Sequence, residues 1–154
     1  MRLGEQTYRA GALQRIQDAR CLFLENRYSG ASYFAGLAVE GMLRCLIWLR
    51  NKELDERHDL RKLAIHVESL GLLRKSDRDV DFVADVQGVD RSWHNTLRFV
   101  DDTEYARWLR QIGALKTRDI DGVKAEAQRH YIRCSRVVRR CEVLWQRHKS
   151  KKPS

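Results

Sequence analysis

Residues 30 to 51, GASYFAGLAVEGMLRCLIWLRN, constrain the fold more than any other stretch. The run is apolar enough to suggest a membrane span, yet it carries Glu40 and Arg44 at its centre. Two ionisable residues at mid-span make insertion into a bilayer expensive, whereas at i and i+4 on a helix they form a favourable pair. On a helical wheel Tyr33, Glu40, Arg44 and Asn51 share one narrow stripe on the less buried side, while Ala31, Ala35, Ala38, Met42 and Leu49 line a different face. Small residues on that face let neighbouring backbones approach closely. The segment is therefore expected to be a core helix of a soluble bundle, with no membrane partner.

The flanking sequence supplies helices to pack against it. From about Glu5 to Tyr28, the residues Tyr8, Ala12, Ile16, Ala19 and Phe23 recur at the three-and-four spacing of one helical face. Ser29 is the expected N-cap of the following helix and Gly30 eases the turn, so the two segments should form an antiparallel hairpin. A third helix is expected from about His58 to Leu70, with Leu60, Leu63, Ala64, Val67 and Leu70 turned inward and Gly71 as its stop. A fourth runs from about Asp79 toward Leu97 with Phe82, Val83, Val86, Val89, Trp93 and Leu97 on its apolar face, and a short helix from about Thr103 to Gly113 follows the capping acid in FVDDTE. The last helix, roughly Gly122 to His148, places Ala127, Tyr131, Cys134, Val138, Cys141, Trp145 and His148 at alternating steps of four and three, a heptad-like seam.

The only proline is Pro153, and β-branched residues form no alternating runs of the kind strands need. A chain of 154 residues is about one domain long. The expected fold is all-α: an up-and-down bundle of four to five main helices over residues 1–148, followed by a basic tail over 149–154.

Charge narrows the classes of function. A net charge of +9 favours an anionic partner such as RNA, DNA or a membrane surface. Opposite the seam of the last helix, Arg129, Arg133, Arg136, Arg140 and Arg147 fall within one stripe, continued by Lys149, Lys151 and Lys152. Such a row can track a phosphate backbone and makes binding steeply salt-dependent, giving affinity without sequence specificity. The plain alternative is a solvated face in which Glu126 and Glu142 pair with flanking arginines. Cys21, Cys45, Cys134 and Cys141 form no C-x-x-C pair, and each falls on the apolar side of its helix. Four buried, reduced thiols in a cytoplasmic protein without metal or cofactor are the expectation. The N-terminus has neither the long apolar core nor the small-residue cleavage signal of a signal peptide.

Three motifs carry a family resemblance. SYFAGLAVEGMLRCLI resembles the A-G-x-A-V-E-x-x-L-K-A-L signature of HEPN domains, the nucleotide-binding helical bundles of prokaryotes and eukaryotes. RHDLRKLAIHVESLGLL resembles the H-D-L-x-x-L segment that follows it, and WHNTLRF the W-x-x-x-x-R-Y stretch near the fourth helix. The three stand in the family's order, over about residues 5 to 148. The resemblance implies a bundle of four or five helices, commonly dimerising around the third and fourth. It also implies functions tied to RNA or nucleotides in toxin–antitoxin or phage-defence settings, sometimes beside a nucleotidyltransferase partner. Many members are metal-independent ribonucleases whose Arg and His lie in R-x(4-6)-H, with a polar residue after the Arg. Here Arg98 sits where the family Arg would be, but Phe99 follows it, and Thr103, Glu104 and Tyr105 hold the positions where His is expected. The R-x-x-x-x-H from Arg61 to His66 lies in another helix, with its side chains about 140° apart at ~100° per residue.

The expected function is thus an RNA- or nucleotide-binding, non-catalytic component of a bacterial defence or toxin–antitoxin module, working as a homodimer or with another defence-system protein. Two alternatives stand beside it. Metal-free RNA cleavage needs a base for the 2′-hydroxyl, an acid for the leaving oxygen and a cation near the phosphate. His94 and Arg98, as i and i+4 neighbours on one helix face, would supply base and cation, and a homodimer would bring two such pairs together. Otherwise His94 hydrogen-bonds within the bundle and Arg98 pairs with Asp101 or Asp102. The other alternative is a protein-interaction subunit whose heptad seam docks a partner. Tyr33, Glu40, Arg44, Asn51 and His58 define a candidate polar pocket, against a purely structural Glu40–Arg44 pair, and Trp93 reads as a core anchor.

Overall fold

The hairpin expected at the start of the chain is present. In a computed structural model that describes residues 3–50, 58–76, 81–115 and 120–151, helix α1 (Glu5–Leu24) turns directly into α2 (Tyr28–Trp48). α1 buries Ala12, Ile16 and Ala19. The turn is made by Asn26 at φ 61°, a left-handed conformation that asparagine tolerates better than most side chains. Ser29 is not the N-cap of α2: Arg27 holds that position without a side-chain cap, and Ser29 is buried inside the first turn. Its N–H instead donates to Asp102 Oδ1 at 2.6 Å, so a helix distant in sequence satisfies the end of α2.

α2 is buried on nearly every side, and its small residues explain how. A Cβ on Gly41 would sit 3.0 Å from the Cβ of Ala12 and 3.4 Å from the Tyr8 carbonyl, so this glycine sets how closely α1 approaches. On another face a Cβ on Gly36 would overlap the indole of Trp93.

α3 (Leu60–Ser69) is capped by Asp59, which accepts from the Lys62 N–H at 2.9 Å, and it stops at Gly71, φ +67°. α4 (Phe82–Asp90) is capped by Asp81. Here the structure corrects the single helix expected from about Asp79 toward Leu97. The α-helix ends at Asp90, His94 is extended, and a 3₁₀ turn, η1 (Asn95–Phe99), follows. Trp93 and Leu97 still point into the core, 3% exposed each, and the Trp93 Nε1–H donates to the Tyr33 carbonyl at 3.0 Å. The inward face is preserved while the backbone changes, which is why the spacing concealed the break.

α5 (Asp102–Gln111) starts on Asp101, which accepts from the Glu104 N–H at 2.8 Å. α6 (Ile120–Lys149) is the longest helix and lies along α2. It is antiparallel to α1 (Arg9 meets Glu142, Glu5 meets Lys149) and to α4, whose Asp85 meets Arg140 while its Gly88 meets Arg133. The architecture is an all-α helical bundle, with no strand among the described residues.

The expected seam of α6 is mostly internal, and the buried face of the helix is wider than that seam. Ala127, Cys134, Val138, Cys141 and Trp145 of the seam are buried, joined by Val123, His130, Val137 and Leu144, which the seam did not include, whereas Tyr131 and His148 are only partly buried. Because that seam is consumed by the fold, it is not free to dock a partner. Cys21 is also corrected: it is exposed, lying off the Ala12, Ile16, Ala19 stripe, while Cys45, Cys134 and Cys141 are buried, and all are free thiols.

Candidate nucleic-acid interface

The arginine stripe of α6 divides into two sets. Arg129 and Arg136 project outward with side chains 59% and 60% exposed, Arg129 held on one edge by Glu126 at 2.9 Å. Arg139, which the stripe did not include, is also exposed and makes no ion pair among the described residues. Arg133 and Arg140 instead lie down toward α4. Arg133 Nη1 donates to the Gly88 carbonyl at 3.1 Å, over a glycine whose added Cβ would stand 3.0 Å from its stem. Arg140 Nη1 meets Asp85 Oδ2 at 3.0 Å and covers the Phe82 ring, and Arg136 reaches Asp85 Oδ1 only at 3.9 Å. Arg147 is partly buried near the end of the helix.

The acids expected to neutralise the stripe are therefore only half right. Glu126 does pair with Arg129, but Glu142 turns away to α1, where Arg9 donates to its two oxygens at 2.8 and 2.5 Å and Gln146 adds a third bond. That hydrogen bonding holds the Glu142 carboxyl below the usual carboxylate range. The acid that does face the stripe is Asp85, on another helix. Lys149 pairs with Glu5, Lys151 is exposed, and Lys152 lies outside the described residues.

Glu40 and Arg44 are not on a less buried side; both are buried, at 4% and 7% exposure. Arg44 Nε donates to Glu40 Oε1 at 2.9 Å, and His58 Nδ1 lies 2.8 and 2.9 Å from the two Glu40 oxygens. A buried carboxylate with two such donors meets the condition that makes a buried ion pair tolerable. The three residues edge a groove of about 420 Å³ between α1 and α2, floored by Tyr8, Ala12 and Leu37. Tyr33 is not part of it, since its ring stacks on Trp93 with centroids 6.5 Å apart. Asn51 lies outside the described residues.

His94 and Arg98 do not share a helix face. His94 is the extended residue that caps η1, with Nδ1 2.8 Å from Thr96 Oγ1 and 3.3 Å from the Thr96 nitrogen. Arg98 spreads its guanidinium over the Phe99 ring at 4.5 Å. Its expected partners are occupied elsewhere, Asp101 capping α5 and Asp102 capping the start of α2.

One polar site had no counterpart in the sequence reading. His130 is 2% exposed, with Nε2 3.2 Å from the Ser32 carbonyl and Nδ1 2.9 Å from Ser92 Oγ. The carbonyl can only accept, so Nε2 carries the proton and Nδ1 accepts from the serine. Ser32 Oγ in turn shares a hydrogen bond with the Tyr105 hydroxyl at 2.7 Å. Burial lowers the His130 pKa to about 4 and pushes the adjacent Cys134 thiol up, so the pair is a neutral imidazole beside a protonated thiol. A nucleophilic cysteine needs the opposite environment. The network joins α2, the turn that follows α4, α5 and α6 as structure.

Among the described residues no group of His, Cys, Asp or Glu is arranged to hold a metal ion, and no helix is long and apolar enough to cross a membrane. Comparison with protein-family models, with curated proteins and with solved structures gives no match to this chain.

Proposed function

We propose that this chain is an RNA- or nucleotide-binding helical protein, acting as a non-catalytic component of a bacterial defence or toxin–antitoxin module, as its HEPN-like motifs imply. The observation that carries this reading is the outward row of Arg129, Arg136 and Arg139 on α6, backed by Arg133 and Arg140, on a chain of net charge +9. Guanidinium groups suit phosphate because they offer several fixed donors. Contact with about three phosphates gives a slope of roughly −2 in log affinity against log salt for a single strand. Against the ribonuclease alternative, the shared helix face expected of His94 and Arg98 is absent, since His94 is extended and bonded to Thr96 while Arg98 is stacked on Phe99. Self-association as a homodimer, or assembly with a nucleotidyltransferase or other defence protein, belongs to the same proposal.

The test is a retardation titration of labelled RNA in EDTA across a salt series, with the wild type and an Arg136→Glu/Arg139→Glu variant. Retardation without cleavage, at least tenfold weaker in the variant, is expected. RNA cleavage that disappears in His94→Ala would transfer the function to the ribonuclease alternative. An absence of binding at low salt would make the stripe a solvated face.

A further inference from the structure

The most exposed large apolar side chain among the described residues is Phe99, at 75%. It stands in η1 between Arg98 and Val100, and both of these line a cleft of about 460 Å³ beside the α1–α2 turn. Tyr33, Phe34 and Leu97 also line that cleft, and Arg27 joins Arg98 there. The volume lies within the ~300–1,000 Å³ of ordinary small-ligand sites.

Charge and geometry narrow what such a place receives. Arg27 and Arg98 are exposed, and no ion pair engages either among the described residues. The two acids of the cleft have a backbone task each: Asp101 Oδ1 accepts from the Glu104 N–H and Asp102 Oδ1 from the Ser29 N–H. The Arg98 guanidinium already lies across the Phe99 ring, an aromatic face with a cation on it. The outward row of α6 offers no comparable surface, because Ile132 and Val143 are its exposed apolar residues. It can grip phosphates and has nothing to stack on a base. Binding of unpaired RNA combines both elements, a cationic track and an aromatic platform.

We infer that the protein selects unpaired RNA, with a base received by the Phe99 ring and the neighbouring cleft and its flanking phosphates met by Arg98 and Arg27. This rests on the RNA-binding reading above and adds to it a preference and a second site. A paired base is already stacked within its helix and cannot be offered to Phe99, so duplex RNA uses the α6 row alone.

The experiment is an anisotropy titration of a labelled oligouridylate and a labelled blunt RNA duplex against the full chain and the variants Phe99→Ala, Phe99→Trp and Arg136→Glu/Arg139→Glu. Phe99→Ala should weaken the single strand about tenfold, within the range of one lost base stack, and leave the duplex unchanged. Phe99→Trp should retain single-strand affinity, and the α6 reversal should weaken both ligands. Unchanged single-strand affinity in Phe99→Ala, with the α6 reversal still weakening it, overturns this inference while the RNA-binding reading stands; the exposed ring then belongs to a protein contact. Equal losses on both ligands in Phe99→Ala would make the residue structural and overturn it as well. No binding of either RNA by the wild type would sink both readings together.

Discussion

At Gly36 the absence of a side chain lets the Trp93 indole lie against α2. Gly36→Ala should therefore lower stability by about 1–3 kcal/mol, the usual cost of overfilling a packed core, read as a fall in the denaturant midpoint. Gly11, in α1 with nothing near its would-be Cβ, is the control: Gly11→Ala should be neutral or stabilising by up to ~1 kcal/mol. His130 gives a prediction in pH. Its pKa is lowered from 6.5 to about 4 by burial, so the unfolded chain takes up a proton that the folded chain refuses. The stability contributed by the neutral ring is complete above about pH 6.5 and is lost as pH falls toward 4, up to ~3 kcal/mol. The carboxyls of Asp18, Asp59 and Glu142, held low by hydrogen bonds, begin to lose their contribution as pH falls through their ordinary values of 3.8, 3.8 and 4.5 and lose the rest below them. Denaturant midpoints between pH 7 and 4 should fall more steeply for the wild type than for His130→Gln; parallel curves would remove His130 from the account.

Between elements, the α4–α6 contact holds the sharpest prediction. Asp85 is the carboxylate that faces Arg140 at 3.0 Å and Arg136 at 3.9 Å. Asp85→Ala should release positive charge on the proposed binding face, tightening RNA binding and steepening the salt slope by about 1, while costing under ~1 kcal/mol of stability as a partly exposed pair. Titration at two salt concentrations measures both affinity terms. The sequence could not supply Asp85, because spacing along one helix says nothing about the helix across from it. Long periodic elements were legible: the spans of α1, α2 and α6 follow from their apolar spacing, an acid of FVDDTE caps the helix that follows it, and Gly71 acts as the expected stop signal. The break after Asp90 was not, since Trp93 and Leu97 remain in phase through an extended residue and a 3₁₀ turn. The buried face of α6 extends beyond the expected seam to His130, Val137 and Leu144, and the histidine gave no apolar signal for that extension. The Glu40–Arg44 pair was found by spacing and misplaced in depth, because its burial depends on His58 and on α1 closing over it.

Across the whole molecule, the thiols report whether the bundle is closed. Cys21 is exposed, whereas Cys45, Cys134 and Cys141 are buried, with the Cys45 thiol pushed up to about 12 by desolvation. A thiol reagent should modify Cys21 quickly in the native protein and reach the other three only in denaturant; early labelling of all four would mean that α2 and α6 separate readily. That separation also bears on synthesis. α2 needs α1 on one side and α6 on another, yet α6 begins roughly 70 residues after α2 ends, a delay of several seconds at ~5–20 residues per second on the ribosome. During that interval the face of α2 that α6 covers has no partner. A chain shortened before Ile120 should accordingly be captured by chaperones or aggregate, and the full chain should owe its yield to how soon its last helix arrives.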